Sequence, residues 1–199
     1  MSNISLLLHE PVIISDSFTR ANSAVTLGNT ETGQAWTTGS GTWGISTGRA
    51  YCVTAVTGDT RFIETNTPDY TAECILNGIL MTGNVSFPSL VIHGLDVNNY
   101  IYARLYNGNL ELYKKDGGVV TSLASVATTT SDNTDYLVKV SCLGNVIKIS
   151  VNNALLITYT LAGGDTKFAA YTKVGVRMNK AGTPASNAAR WDNFKVEVT

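Results

Sequence analysis

Residues 100–115, Tyr-Ile-Tyr-Ala-Arg-Leu-Tyr-Asn-Gly-Asn-Leu-Glu-Leu-Tyr-Lys-Lys, decide how the chain is read. Asn107 and Gly108 stand between two alternating runs. Both central positions of a two-residue type I′ turn require φ > 0, which Asn and Gly accept at low cost. Closing the chain on that pair sets Tyr106 opposite Asn109. It predicts the further pairs Leu105 with Leu110, Arg104 with Glu111, Ala103 with Leu112 and Tyr102 with Tyr113. One face then carries Ile101, Ala103, Leu105, Leu110 and Leu112, an aliphatic surface that needs a second layer to cover it. The other carries Tyr100, Tyr102, Arg104, Tyr106, Glu111 and Tyr113, and is expected to meet water or a partner.

Phenol rings stack on the apolar face of a sugar, and their hydroxyls, with Arg104 and Glu111, can bond sugar hydroxyls. That face is therefore the candidate glycan-binding surface. The plainer reading is that Tyr is a good strand former and that Arg104 with Glu111 is an ordinary cross-strand ion pair, contributing at most about 1 kcal/mol. Trp36 and Trp43 fit core or rim aromatics; at a rim they are second candidate platforms.

The rest of the chain continues the same pattern. Trp43 and Ile45 alternate with small residues, Ser46–Arg49 turns, and Tyr51 and Val53 return, a second hairpin. Strands are predicted around Arg61–Glu64, from Tyr70 to Leu80 and from Ser89 to His93, with a turn at Asp96–Asn99 feeding the hairpin above. Val119–Thr130 is a Thr/Ser-rich strand or edge. Tyr136–Thr160 reads as a meander with Ile147, Ile149 and Val151 inward, turning near Gly144-Asn145 and Asn152-Asn153. A small-residue loop is expected at Gly182–Ala189 between the last two strands. Helical spacing is absent apart from a short turn near Thr166–Ala170. Strands at roughly ten-residue intervals with Gly/Asn turns give an all-β sandwich or barrel.

The 199 residues suit one substantial core, so a single domain over 13–199 is expected. Residues 1–12 read as an arm that packs along an edge or reaches a neighbour, since Pro11 cannot join a central ladder. A formal net charge of -1 with 15% charged residues argues against a nucleic-acid partner. The apolar start lacks a basic segment and is broken by His9, Glu10 and Pro11, so neither a signal peptide nor a membrane span is expected. Cys52, Cys74 and Cys142 are widely spaced, no CxxC occurs, and only His9 and His93 supply imidazole; buried free thiols are expected rather than a metal site.

Four segments carry a family resemblance: Asp16-Ser-Phe18-Thr-Arg20, Gly41 to Tyr51, Asn99 to Arg104, and Arg190-Trp-Asp-Asn-Phe194. Together, over about residues 13–199, the pattern resembles the concanavalin A-like lectin/glucanase sandwich, especially its LamG-like branch. The resemblance implies two antiparallel sheets in jelly-roll order, first and last strands side by side with Phe18 and Phe194 meeting in the core, and ligands in the concave sheet or at the loop rim. Its members include glycan-binding modules, hydrolases and components of phage particles and bacterial surfaces. The closely spaced acids of the family's retaining β-glucanases, ExDxE or ExDxxE, are missing here.

Glycoside hydrolysis needs two carboxylates, one kept protonated. Glu111 faces Arg104, which favours its ionised form; Glu64 and Glu73 are separated by a turn; neither His9 nor His93 has a GxSxG partner. No enzymatic activity and no cofactor are expected. Asp16, Asp192 and Asn193 are too few oxygens for a calcium site, and no metal is assigned. The expected function is a non-catalytic lectin-like sandwich in a phage virion, as capsid decoration, fibre or tail-tip protein, made in the cytoplasm. Its expected partners are other assembly subunits through the arm, further copies of itself, and a glycan. The alternatives are a carbohydrate-binding module of a surface protein and a glycoside hydrolase.

Overall fold

A computed structural model describes residues 12–54, 57–78, 86–180 and 189–198. Along these residues run the strands β1 (Val12–Asp16), β2 (Thr37–Thr38), β3 (Trp43–Ser46), β4 (Arg49–Cys52), β5 (Thr60–Glu64), β6 (Tyr70–Gly78), β7 (Ser86–Asp96) and β8 (Asn99–Tyr106). They continue as β9 (Asn109–Asp116), β10 (Val119–Ala127), β11 (Asp135–Leu143), β12 (Val146–Val151), β13 (Ala154–Thr160), β14 (Lys173–Lys180) and β15 (Ala189–Val198). The expected turn before β14 is a 3-10 helix, Gly163–Ala170. The expected arm lies outside the described residues except for Val12, which belongs to the sheet: it pairs with Val198. The predicted loop at 182–189 also lies outside them, save Ala189.

The strands form two antiparallel sheets. One has eight strands in the order β13-β12-β11-β6-β15-β4-β3, with β1 also on β15; the other has seven, β10-β9-β8-β7-β14-β5-β2. First and last strands are thus neighbours, Asp16 facing Phe194. Phe18 and Phe194 are both buried, but Trp36 stands in ring contact with each, at 5.8 and 5.0 Å between centroids.

The hairpin at residues 99–116 closes as its turn chemistry requires. Asn107 and Gly108 have φ of 44° and 77°, and the five predicted pairs from Tyr106–Asn109 to Tyr102–Tyr113 are all in register. The second hairpin also forms: Thr47 and Gly48 turn, and Ala50 and Cys52 point into the core.

Period-2 alternation places the core between the sheets. Leu105, Leu110 and Leu112 from one layer face Val138, Val140 and Ile149 from the other, all fully buried. The meander turns at Asn152 and Asn153, both with positive φ, and buries Ile147, Ile149 and Val151 as its pattern dictates. The three cysteines are buried and form no disulfide among the described residues, and burial pushes the Cys74 and Cys142 thiols well above the ordinary range.

Candidate functional site

The site lies on the side of the seven-stranded sheet turned away from the core. Ladder register puts Tyr113, Tyr102, Val91, Gly175 and Phe62 in one row across β9, β8, β7, β14 and β5. The next row on the same face is Glu111, Arg104, Ser89, Arg177 and Thr60. Phe62, Val91, Tyr100 and Tyr102 form a small apolar cluster of their own, distinct from the main core.

Four side chains organise this face. The rings of Tyr102 and Tyr113 are stacked with centroids 5.5 Å apart and planes 13° from parallel. The guanidinium of Arg177 lies over Tyr102 at 4.1 Å, and that of Arg104 over Tyr113 at 4.5 Å. Each stacked ring therefore carries a cation against its electron-rich face, an attraction of about 0.5–2 kcal/mol apiece. Arg104 also lies 5.0 Å from the Tyr106 ring and 5.1 Å from the Phe87 ring. It donates from Nε to Glu111 Oε2 at 2.6 Å and from Nη2 to the Tyr113 hydroxyl at 3.3 Å.

Tyr100 sits beside this group. Its hydroxyl accepts from Arg177 Nε at 2.9 Å, and the Lys115 ammonium is 5.7 Å from its ring while donating to the Val97 carbonyl at 2.7 Å. Burial, then repulsion from Arg177, depresses the Lys115 pKa. Burial raises that of Tyr102, against the pull of Arg177 and Arg104, which keeps its phenol neutral.

The expectation of a water-facing tyrosine face needs correcting at two positions. Tyr100 and Tyr102 are 0% and 1% exposed. Arg177 and Lys115 lie across them, and Phe62, Val97 and Tyr113 pack at their sides. They form the floor of the site. Arg104, Tyr106, Glu111, Tyr113 and Lys115 remain partly exposed above that floor.

Trp36 and Trp43 are not rim platforms. Trp36 donates from its indole to Asp16 Oδ2 at 2.7 Å, and Trp43, fully buried, packs on Trp191 at 4.8 Å and donates to the Ser40 carbonyl at 3.1 Å. Each indole N–H is satisfied internally, which is why both rings can be core.

The acids weighed for catalysis do not converge. Glu111 is held by Arg104; Glu64 lies on the seven-stranded sheet; Glu73, 3.5 Å from Lys139, lies on the outer side of the eight-stranded sheet, between inward Ala72 and Cys74. His93, on a bulge of β7, is fully buried, with Nδ1 3.4 Å from the Tyr171 carbonyl and its pKa lowered by burial. His9 lies outside the described residues. Asp16 accepts from Arg20, Trp36 and the Phe18 amide, while Asp192 is 3.5 Å from Arg49, so the two carboxylates once weighed for calcium have other partners.

Arg177 and Lys115 are the residues that sequence reading passed over. Val174, Val176 and Met178 alternate inward on β14, so Arg177 has to point outward; nothing local places it over tyrosines 75 and 77 positions earlier, a relation that only the β14–β7–β8 order creates.

No protein-family model matches the chain, nor does any curated protein. Solved structures do. The carbohydrate binding module CBM66 from Bacillus subtilis aligns over 82% of this chain and 92% of that one, with a TM-score of 0.56 and 18% identity. The CBM2 module of the evolved Dit of Lactobacillus casei BL23 phage J-1 aligns over 94% and 96%, with a TM-score of 0.57 and 12% identity. The GH43 protein BlXynB from Bacillus licheniformis gives a TM-score of 0.63 at 13% identity, over 93% of this chain but 39% of that one. The fold is a jelly-roll sandwich. It has the two antiparallel sheets that the four resembling segments implied, and identities this low speak to the fold alone.

Proposed function

We propose that this chain is a non-catalytic glycan-binding sandwich whose receptor surface is the outer face of the seven-stranded sheet. The observation that carries this reading is the stacked Tyr102–Tyr113 pair with a guanidinium over each ring, bordered by the accessible Arg104–Glu111 pair. The partly exposed Tyr106 and Tyr113 side chains supply the apolar contact, and the ion pair fixes donors and acceptor rigidly enough to order sugar hydroxyls. The carbohydrate binding modules of this fold support it. The separation of Glu64 from Glu73 across the two sheets, and the Arg104 clamp on Glu111, support binding without hydrolysis.

The test is retention of soluble protein on a glycan array together with a Tyr113→Ala variant. Tyr113 is partly exposed, so the variant should keep the fold while losing about tenfold in affinity with the lost apolar contact and the loosened Arg104. No retained glycan, or equal retention by the variant, removes the reading. Release of reducing ends that disappears in Glu111→Gln would instead establish a hydrolase.

A place in a phage particle, as decoration, fibre or tail-tip subunit, is the finer part of this proposal. It is supported by the likeness to the phage Dit module. Deleting residues 1–12 should abolish incorporation into particles and leave glycan retention unchanged; normal incorporation would rule out the arm as anchor.

A further inference from the structure

The glycan-binding reading leaves one feature unexplained, a buried cation with no counter-charge. Arg177 is 4% exposed, and among the described residues no carboxylate pairs with it. Its Nε donates to the Tyr100 hydroxyl, but its Nη1 is buried without a hydrogen-bond partner among the described residues. A guanidinium carries five N–H donors and cannot shed its charge, so an unfilled donor here costs stability that its contacts with Tyr100 and Tyr102 only partly offset.

A second cation stands next to it. Lys115 and Arg177 flank the same Tyr100 ring, at 5.7 and 5.9 Å from its centre, and Lys115 too lacks an ion-pair partner among the described residues. Glu111, the acid in the same row, is taken by Arg104, and Asp96 is turned toward the Asn98 amide and the Asn99 side chain. The face thus concentrates positive charge in a chain whose overall charge is -1. Such local surplus attracts an anion, and a guanidinium with a free edge meets two anionic oxygens side by side.

We propose that Arg177, with Lys115 beside it, receives the anionic group of an acidic glycan laid against the partly exposed Tyr106 and Tyr113 side chains. This rests on the glycan-binding reading of the same face and names its ligand class: sugars bearing a carboxylate or a phosphate. The anion takes the open Nη1 position. The Lys115 ammonium, which donates to the Val97 carbonyl and stands by the Tyr100 ring, supplies the second cation.

The test is isothermal titration of the full chain with polygalacturonate, poly(glycerol phosphate) and neutral xylan. Wild type should bind one of the two acidic polymers and weaken as salt rises; which one identifies the anion. Arg177→Met, which fills the same volume without charge, should lose about ten- to a hundredfold in affinity for that polymer. Its thermal midpoint should hold or rise, because an uncompensated buried charge is gone. Lys115→Gln should lose less and keep the fold. Xylan bound as tightly as both acidic polymers, with affinity unchanged in both variants, overturns the acidic ligand and leaves the glycan surface standing. Binding of none of the three overturns this inference, while a neutral sugar retained on the array would still uphold the surface. An Arg177→Met variant that unfolds shows the cation to be structural, and the Lys115→Gln titration then decides: an unchanged affinity overturns the proposal.

Discussion

Replacing Trp191 with alanine is expected to cost about 3–5 kcal/mol of folding stability, the largest effect of any single truncation considered. Trp191 is fully buried on β15 of the eight-stranded sheet, with its ring 4.8 Å from that of Trp43. Its indole donates to the Ser89 carbonyl at 2.9 Å, and Ser89 lies on β7 of the other sheet. One side chain therefore fills the interlayer space and ties the two layers by a directed bond. Truncation opens a cavity between rigid sheets that cannot close over it. Trp191→Phe separates the two contributions, keeping an aromatic ring and losing the donor at about 1 kcal/mol. Denaturant titration of both variants checks this. If Trp191→Ala costs no more than Trp191→Phe, the layers are not held as described.

Asp16→Ala is expected to cost about 3 kcal/mol and to lower the thermal midpoint by about 6–12 °C. The carboxylate is 1% exposed and accepts four hydrogen bonds: from the Phe18 amide, from both Nη atoms of Arg20 and from the Trp36 indole at 2.7 Å. It joins the end of β1 to the loop carrying Trp36, whose ring bridges Phe18 and Phe194. Alanine leaves a buried indole N–H and a half-buried guanidinium without their acceptor, and that desolvation is the main cost. Asp16→Asn keeps acceptor capacity at one oxygen and should cost less. A fall of under 2 °C in Asp16→Ala would show that this network does not hold the first strand in place.

The two expectations differ in how far the sequence could have led to them. Hairpin register was legible because Asn107-Gly108 permits one turn type and the alternation admits one register; both are local facts. The all-β architecture followed from turn chemistry repeated along the chain. Side-chain partners across the sandwich were not legible. Asp16 to Trp36, Trp191 to Ser89 and Arg177 to Tyr100 are separated by 20, 102 and 77 residues, and no periodicity encodes such contacts. The same gap accounts for the corrections. Tyr100 and Tyr102 were assigned to the correct face by alternation, but their covering side chains belong to other strands. Sequence alone does not decide between core and rim for Trp36 and Trp43, because an indole needs one acceptor to be buried, and those acceptors, Asp16 and the Ser40 carbonyl, are found only in the fold.

Apolar residues thus fix two layers, and the outer side of one layer is free to carry a polar, aromatic and cationic surface that contributes little to the core. The most direct measurement of that division is ring-labelled tyrosine NMR of the full chain during titration with the polymer that binds, followed at its nine tyrosines. The account predicts that the Tyr106 and Tyr113 resonances move, with Tyr102 following through the stack, while Tyr51, Tyr136 and Tyr159 on the eight-stranded sheet stay fixed. Movement confined to Tyr51, Tyr136 or Tyr159 would contradict it.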